Sequence, residues 1–212
     1  MWLAGILFGT IQLHAQTIWS ESSPRLGSRI SHALAYDLAQ NEVLAFGGAA
    51  GSSARTFRED TWTWDGQNWS RRCSTVSPSP RAVHAMASGV NGGVLLFGGA
   101  GSSVGPELGD SWLWLNGQWH QVAAPGPSAR HAHAMALDRG RGRVVLFGGM
   151  AGSTGLNDTW EWDGSVWSSV QSTTLPAARG WHAMAYDSIR RKVVLFGGLA
   201  TQGGGVLGDA WE

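Results

Sequence analysis

Apolar and polar positions recur along this chain with a long period. Short apolar runs end in Phe-Gly-Gly four times, at Phe46-Gly47-Gly48, Phe97-Gly98-Gly99, Phe147-Gly148-Gly149 and Phe196-Gly197-Gly198, spaced 51, 50 and 49 residues apart. A fixed period of that size marks a repeated supersecondary unit. Ahead of each run stands Arg-x-x-His, as Arg29/His32, Arg81/His84, Arg130/His133 and Arg179/His182. Period-two alternation follows it, as in His84-Ala85-Met86-Ala87, and predicts a first strand holding the His. The run itself, such as Val144-Val145-Leu146-Phe147, predicts a second strand buried on both faces. Asp-x-Trp then recurs at Asp60/Trp62, Asp110/Trp112, Asp158/Trp160 and Asp209/Trp211, with further Trp at Trp64, Trp114 and Trp162. Two residues apart on a strand, these rings share a face. Asp65-Gly66, Asn116-Gly117 and Asp163-Gly164 are hairpin signals, because both central residues tolerate positive φ. A fourth strand carries the closing Trp69, Trp119 or Trp167.

The units fall at about 29–71, 81–121, 130–170 and 179–212. Thr17-Ile18-Trp19-Ser20 reads as one more fourth strand, with Trp19 at the place of Trp69. Residues 1–15 differ in kind. Their apolar run from Trp2 to Leu13 is too short to span a bilayer as a helix and fits a secretory signal peptide cut before Gln16. The expected location is therefore secreted or periplasmic, with a cytoplasmic chain as the alternative, and no transmembrane segment is expected.

The pattern explains an unusual composition. The 31 Gly make about 15% of the chain, against a usual level near 7%. Eight of them are the Gly pairs, and 11 of the 13 Trp hold repeat positions. Burying one Trp contributes about 4–6 kcal/mol gross. A packing role thus accounts for most of the rings without a ligand. Lys+Arg and Asp+Glu are 15 each, so no basic excess points to nucleic acid. The single Cys73 excludes an intrachain disulfide and a cysteine metal cluster.

Ala183-Met184-Ala185-Tyr186-Asp187 followed by Arg191-Lys192-Val193-Val194-Leu195-Phe196-Gly197-Gly198, repeated in register, resembles the kelch repeat in its bacterial style. The resemblance covers about residues 17–212 and implies an all-β fold. The fold the resemblance implies is a kelch-type β-propeller of four-stranded antiparallel blades, about four blades' worth, either a partial propeller or a four-bladed ring. We expect a segment of a larger propeller. Closure of a four-bladed ring by the strand at 17–20 is the alternative, as is self-association. A free arc would expose aromatic faces and a strand edge.

The register residues Arg81, His84, Arg130, His133, Arg179 and His182 are expected to pack blades, with the Arg bonding between blades, each His bonding to a neighbouring blade's backbone or to its own Arg, and the four Gly pairs making room for large neighbours. No metal, cofactor or catalytic residue is expected. Galactose oxidase, which contains a kelch-like propeller, would imply a Cys–Tyr cross-link and copper ligands. Here Tyr36 and Tyr186 share one repeat position and look structural. No sialidase Asp-box, nucleophile elbow or phosphate loop is present. Function is expected on the variable loops of one face, which a rigid scaffold presents. The candidates are Arg55, Arg58, Glu107 and Asn157 in those loops, and His131 and Trp181, which break the repeat. The expectation is non-catalytic binding of a protein or glycan. The alternative is the propeller part of an exported carbohydrate-active or galactose-oxidase-like enzyme whose catalytic elements lie elsewhere.

Overall fold

The structure, a computed structural model, describes residues 26–51, 56–102, 105–200 and 204–212. The expected leader at 1–15, the strand at 17–20 and Arg55 lie outside the described residues. The protein is a four-bladed β-propeller. Blade one is built from Ala33–Asp37, Glu42–Phe46, Thr61–Trp64 and Trp69–Arg72, paired antiparallel in chain order. Blade two uses Ala85–Ser88, Val94–Ala100, Glu107–Leu115 and Gln118–Val122. Blade three uses Ala134–Asp138, Arg143–Ala151, Thr154–Trp162 and Trp167–Val170. Blade four has Ala183–Asp187, Lys192–Phe196 and Ala210–Trp211. The first strands of all four blades line one central cavity of about 430 Å³. Among the described residues no helix is long and apolar enough to cross a membrane.

Three local features differ from the sequence expectation. The His residues precede the first strand rather than sit in it, since each strand starts one residue later. The hairpin of strands two and three runs on past the Gly pair in blades two and three, with a register shift between Phe97 and Gly99 and between Phe147 and Gly149. The variable loops are therefore shorter than expected. Both central residues take positive φ only in the two-residue turn Asn116-Gly117. Asp65 and Asp163 instead cap four-residue loops, their carboxylates accepting backbone N–H groups from Gln67 and Asn68, and from Ser165 and Val166.

Blades stack through a repeated aromatic key. Phe46 of blade one meets the edge of His84 at 5.8 Å and of Trp119 at 5.3 Å, both from blade two. Phe97 meets His133 and Trp167 of blade three in the same way. Phe147 meets His182 of blade four. Buried side chains flank these contacts, Leu44, Met86 and Leu96 in the first junction and Leu95, Met135 and Leu146 in the second. The closing Trp also donates back to the preceding blade, Trp119 Nε1 to Thr61 Oγ1 and Trp167 Nε1 to Ser111 Oγ, both at 2.9 Å. The first Gly of each pair is required by closeness. A Cβ on Gly98 would stand 2.6 Å from the Arg130 carbonyl oxygen and 3.1 Å from His133 Cε1.

Candidate functional site

The register charges must be separated from the site first. Arg81 is fully buried, and its guanidinium donates to both oxygens of Asp110 and to the Gly98 carbonyl, all in its own blade. Trp112 Nε1 donates to the same carboxylate at 2.6 Å. Arg29–Asp60–Trp62, Arg130–Asp158–Trp160 and Arg179–Asp209–Trp211 repeat the arrangement. The Arg side chain therefore braces its own blade, contrary to the expected bond between blades. Its backbone makes the crossing, as in Gly48 N–H to Arg81 C=O at 2.8 Å. Sequence reading missed the Asp partner, although an Asp follows each register Arg by 28 to 31 residues. Burial works to raise Asp110 and Asp158, but the Arg and Trp hydrogen bonds prevail and hold both carboxyls below the usual range.

The register His residues are neutral packing groups. Burial, and then the neighbouring Arg81, push His84 down to about 3. Burial and Arg179 push His182 down to about 4, and burial and Arg130 push His133 well below the ordinary value. The Phe46 carbonyl lies near His84 and opposes its shift slightly, but neither ring nitrogen has a hydrogen-bond partner. Ring edges on Phe, rather than the expected hydrogen bonds, hold these side chains. Among the described residues no group of three His, Cys, Asp or Glu side chains could hold a metal ion.

Three of the candidates, Glu107, His131 and Trp181, come together on the loop face. His131 Nδ1 lies 3.4 Å from Glu107 Oε1 and has no hydrogen-bond partner. The His131 ring meets the Trp181 ring edge to face at 5.7 Å. Glu107 also accepts the Gly152 N–H at 2.8 Å. Its own N–H and that of Gly152 help hold its carboxyl below the ordinary range. Blade two supplies Glu107, the lead-in to blade three supplies His131, and the lead-in to blade four supplies Trp181. Beneath them runs a backbone ladder between blades. Val83 N–H donates to Ser31 C=O, Ala132 N–H to Val83 C=O, and Trp181 N–H to Ala132 C=O, at 2.8–2.9 Å. All four residues have positive φ between 55° and 58°. Positive φ is rare in residues with a Cβ and persists only where surrounding structure enforces it. The ladder thus fixes the backbone of Trp181, a residue that is 54% exposed.

The other candidates do not join this seam. Arg58 is half-buried, and its backbone bridges Gly48 and Arg81, so it belongs to the first junction. Asn157 is exposed within the third strand of blade three. His120 is exposed on the outermost strand of blade two, and Cys73 is exposed.

A family model described as the KLHDC2/KLHL20/DRC7 Kelch-repeats domain matches residues 10–198. No curated protein matches the chain. The matched span ends on Gly198, the last residue of the fourth Gly pair, and so takes in the inner hairpin of every blade; the chain belongs to the Kelch-repeat family.

Proposed function

We propose that this Kelch propeller is a non-catalytic binding module that holds a protein partner across the Glu107–His131–Trp181 seam. The observation that carries this reading is the exposed Trp181 on a backbone locked by the ladder between blades. The same position holds Ser31, Val83 and Ala132 in the other blades, so stacking does not require the ring. Rigid exposed aromatics beside a few polar groups are the usual anchors of protein interfaces. Glu107 and His131 add one acidic and one titratable partner within a few ångströms. The leader reading of residues 1–15 places the module outside the cytoplasm, and N-terminal sequencing of the mature protein, expected to begin at Gln16, tests that.

Affinity capture from the native source, with Trp181→Ala and Glu107→Gln compared to Val76→Ser on an exposed loop, tests the function. A protein retained by the parent and Val76→Ser but lost from the other two is expected. Retention by all three variants would overturn the seam. Binding on a glycan array that depends on Trp181 would favour a sugar ligand instead. Turnover of a sugar panel by the chain would favour the carbohydrate-active reading.

A further inference from the structure

The central cavity reaches the face opposite the seam, where the turns after the first strands form its lip. Arg139, Tyr186 and Ser188 line the cavity at that lip, and Met135, Leu137 and Met184 line the wall behind it. Arg139 is exposed and directly follows Asp138, the last residue of the first strand of blade three. Leu38 and Ser188 hold the same place in blades one and four, so the fold does not need a cation there. The ion pairs of the two turns join Arg141 to Asp138 and Glu161, Arg143 to Asp163, and Arg190 to Asp187. Arg139 is in none of them.

The acids beside the lip are already engaged. Asp138 accepts the backbone N–H groups of Gly140 and Arg141 and a bond from the Arg141 guanidinium. Asp187 accepts the N–H groups of Ile189 and Arg190. Both carboxylates hold their turns together, and the lip is left rich in donors. Tyr186 adds one through an exchange in its own turn. In blade one, Tyr36 donates its O–H to Asn41 Oδ1. In blade four Arg191 takes the place of Asn41, with the same φ of 58°. A guanidinium offers no acceptor, so the Tyr186 O–H is left to donate elsewhere. Its oxygen is set over Gly140 of blade three, where a Cβ would stand 2.8 Å from it and 3.2 Å from Arg191 Nε. The wall differs in kind, because thioether and Leu side chains are apolar and the former adapt to irregular shapes.

We propose that the central cavity binds a small organic monoanion, with its carboxylate on the Arg139–Tyr186–Ser188 lip and its hydrocarbon body along Met135 and Met184. One uncommitted guanidinium matches one carboxylate, which it can hold by two parallel N–H bonds. The Tyr186 and Ser188 hydroxyls supply the further donors a carboxylate accepts. A volume of about 430 Å³ lies within the range of small-molecule sites. The lip and the Glu107–His131–Trp181 seam lie on opposite faces, so the ligand and a protein partner can be held at the same time.

Isothermal titration calorimetry of the full chain with sodium octanoate tests this, with sodium acetate and 1-octanol as probes of the head and the tail alone. Saturable binding of one octanoate per chain is expected, with acetate and 1-octanol each weaker by about tenfold or more. Arg139→Gln should weaken octanoate by about tenfold or more, and Tyr186→Phe by a smaller factor, because hydrogen bonds between two charged groups are the stronger kind. Arg190→Gln removes a cation from the adjoining turn but not from the lip, and should bind as the parent does. Arg139 pairs with no acid of its turn, so circular dichroism of its variant should match the parent. Absence of saturable octanoate binding would overturn the proposal, as would 1-octanol binding as tightly as octanoate, or octanoate binding that survives Arg139→Gln. Equal weakening by Arg139→Gln and Arg190→Gln would overturn it in favour of diffuse attraction to the charge of the turns.

Discussion

Gly98→Ala is the sharpest test of how the blades are keyed. Gly98 has φ +66°, and holding a residue with a Cβ in the left-handed region costs roughly 1–2 kcal/mol. The new methyl would stand 2.6 Å from the Arg130 carbonyl oxygen, 3.1 Å from His133 Cε1 and 3.2 Å from the Leu108 carbonyl oxygen. Two of these are backbone atoms that cannot rotate away, so the junction between blades two and three must open. Overpacking of this kind costs about 1–3 kcal/mol more, for a total of about 2–5 kcal/mol. Two controls separate strain from crowding. Gly117 has φ +78° with nothing within 4 Å, and Gly197 has φ +70° with a single ordinary contact. Alanine at either position should cost only about 1–2 kcal/mol. Urea unfolding followed by tryptophan fluorescence gives the three free energies, with an unchanged m-value showing that the unfolded state is not responsible. Equal losses at Gly98 and Gly117 would refute the argument, because the glycine would then serve the turn of the chain and not the approach of the next blade.

Other outcomes follow from the same geometry. His84, His133 and His182 stay neutral when folded but take up protons near pH 6.5 when unfolded, so they contribute full stability above about pH 6.5 and lose it as pH falls toward 4. The combined slope is at most about 4 kcal/mol per pH unit, and His133→Gln should remove about a third of it in urea titrations between neutral pH and pH 5. Asp158→Ala strands the fully buried Arg130 guanidinium and should cost about 3 kcal/mol or more by the same unfolding assay. Thr61→Val leaves the buried Trp119 indole N–H without its acceptor and should cost about 1–2 kcal/mol, whereas Thr159→Val should cost less because no indole among the described residues bonds to it.

The sequence by itself determined the repeating unit. Alternation before the Gly pair, the apolar run into it and the paced Trp residues are properties of single strands, and each is visible within about 50 residues. The seam candidates were also visible one at a time, because His131 and Trp181 break the repeat and Glu107 falls in a variable loop. The fold back within a blade was not, since Arg81 reaches Asp110 only after three strands pair, and the Arg was assigned to the wrong partner. The seam depends on the angular stacking of three blades, which no local pattern encodes. The Gly pairs show the division most clearly. Phe97-Gly98-Gly99 and Phe196-Gly197-Gly198 are identical in sequence and nearly identical in backbone conformation. One glycine is pressed by the Arg and His of the next blade, and the other faces open space. Only tertiary structure decides between them, because the difference lies in what stands beside the blade.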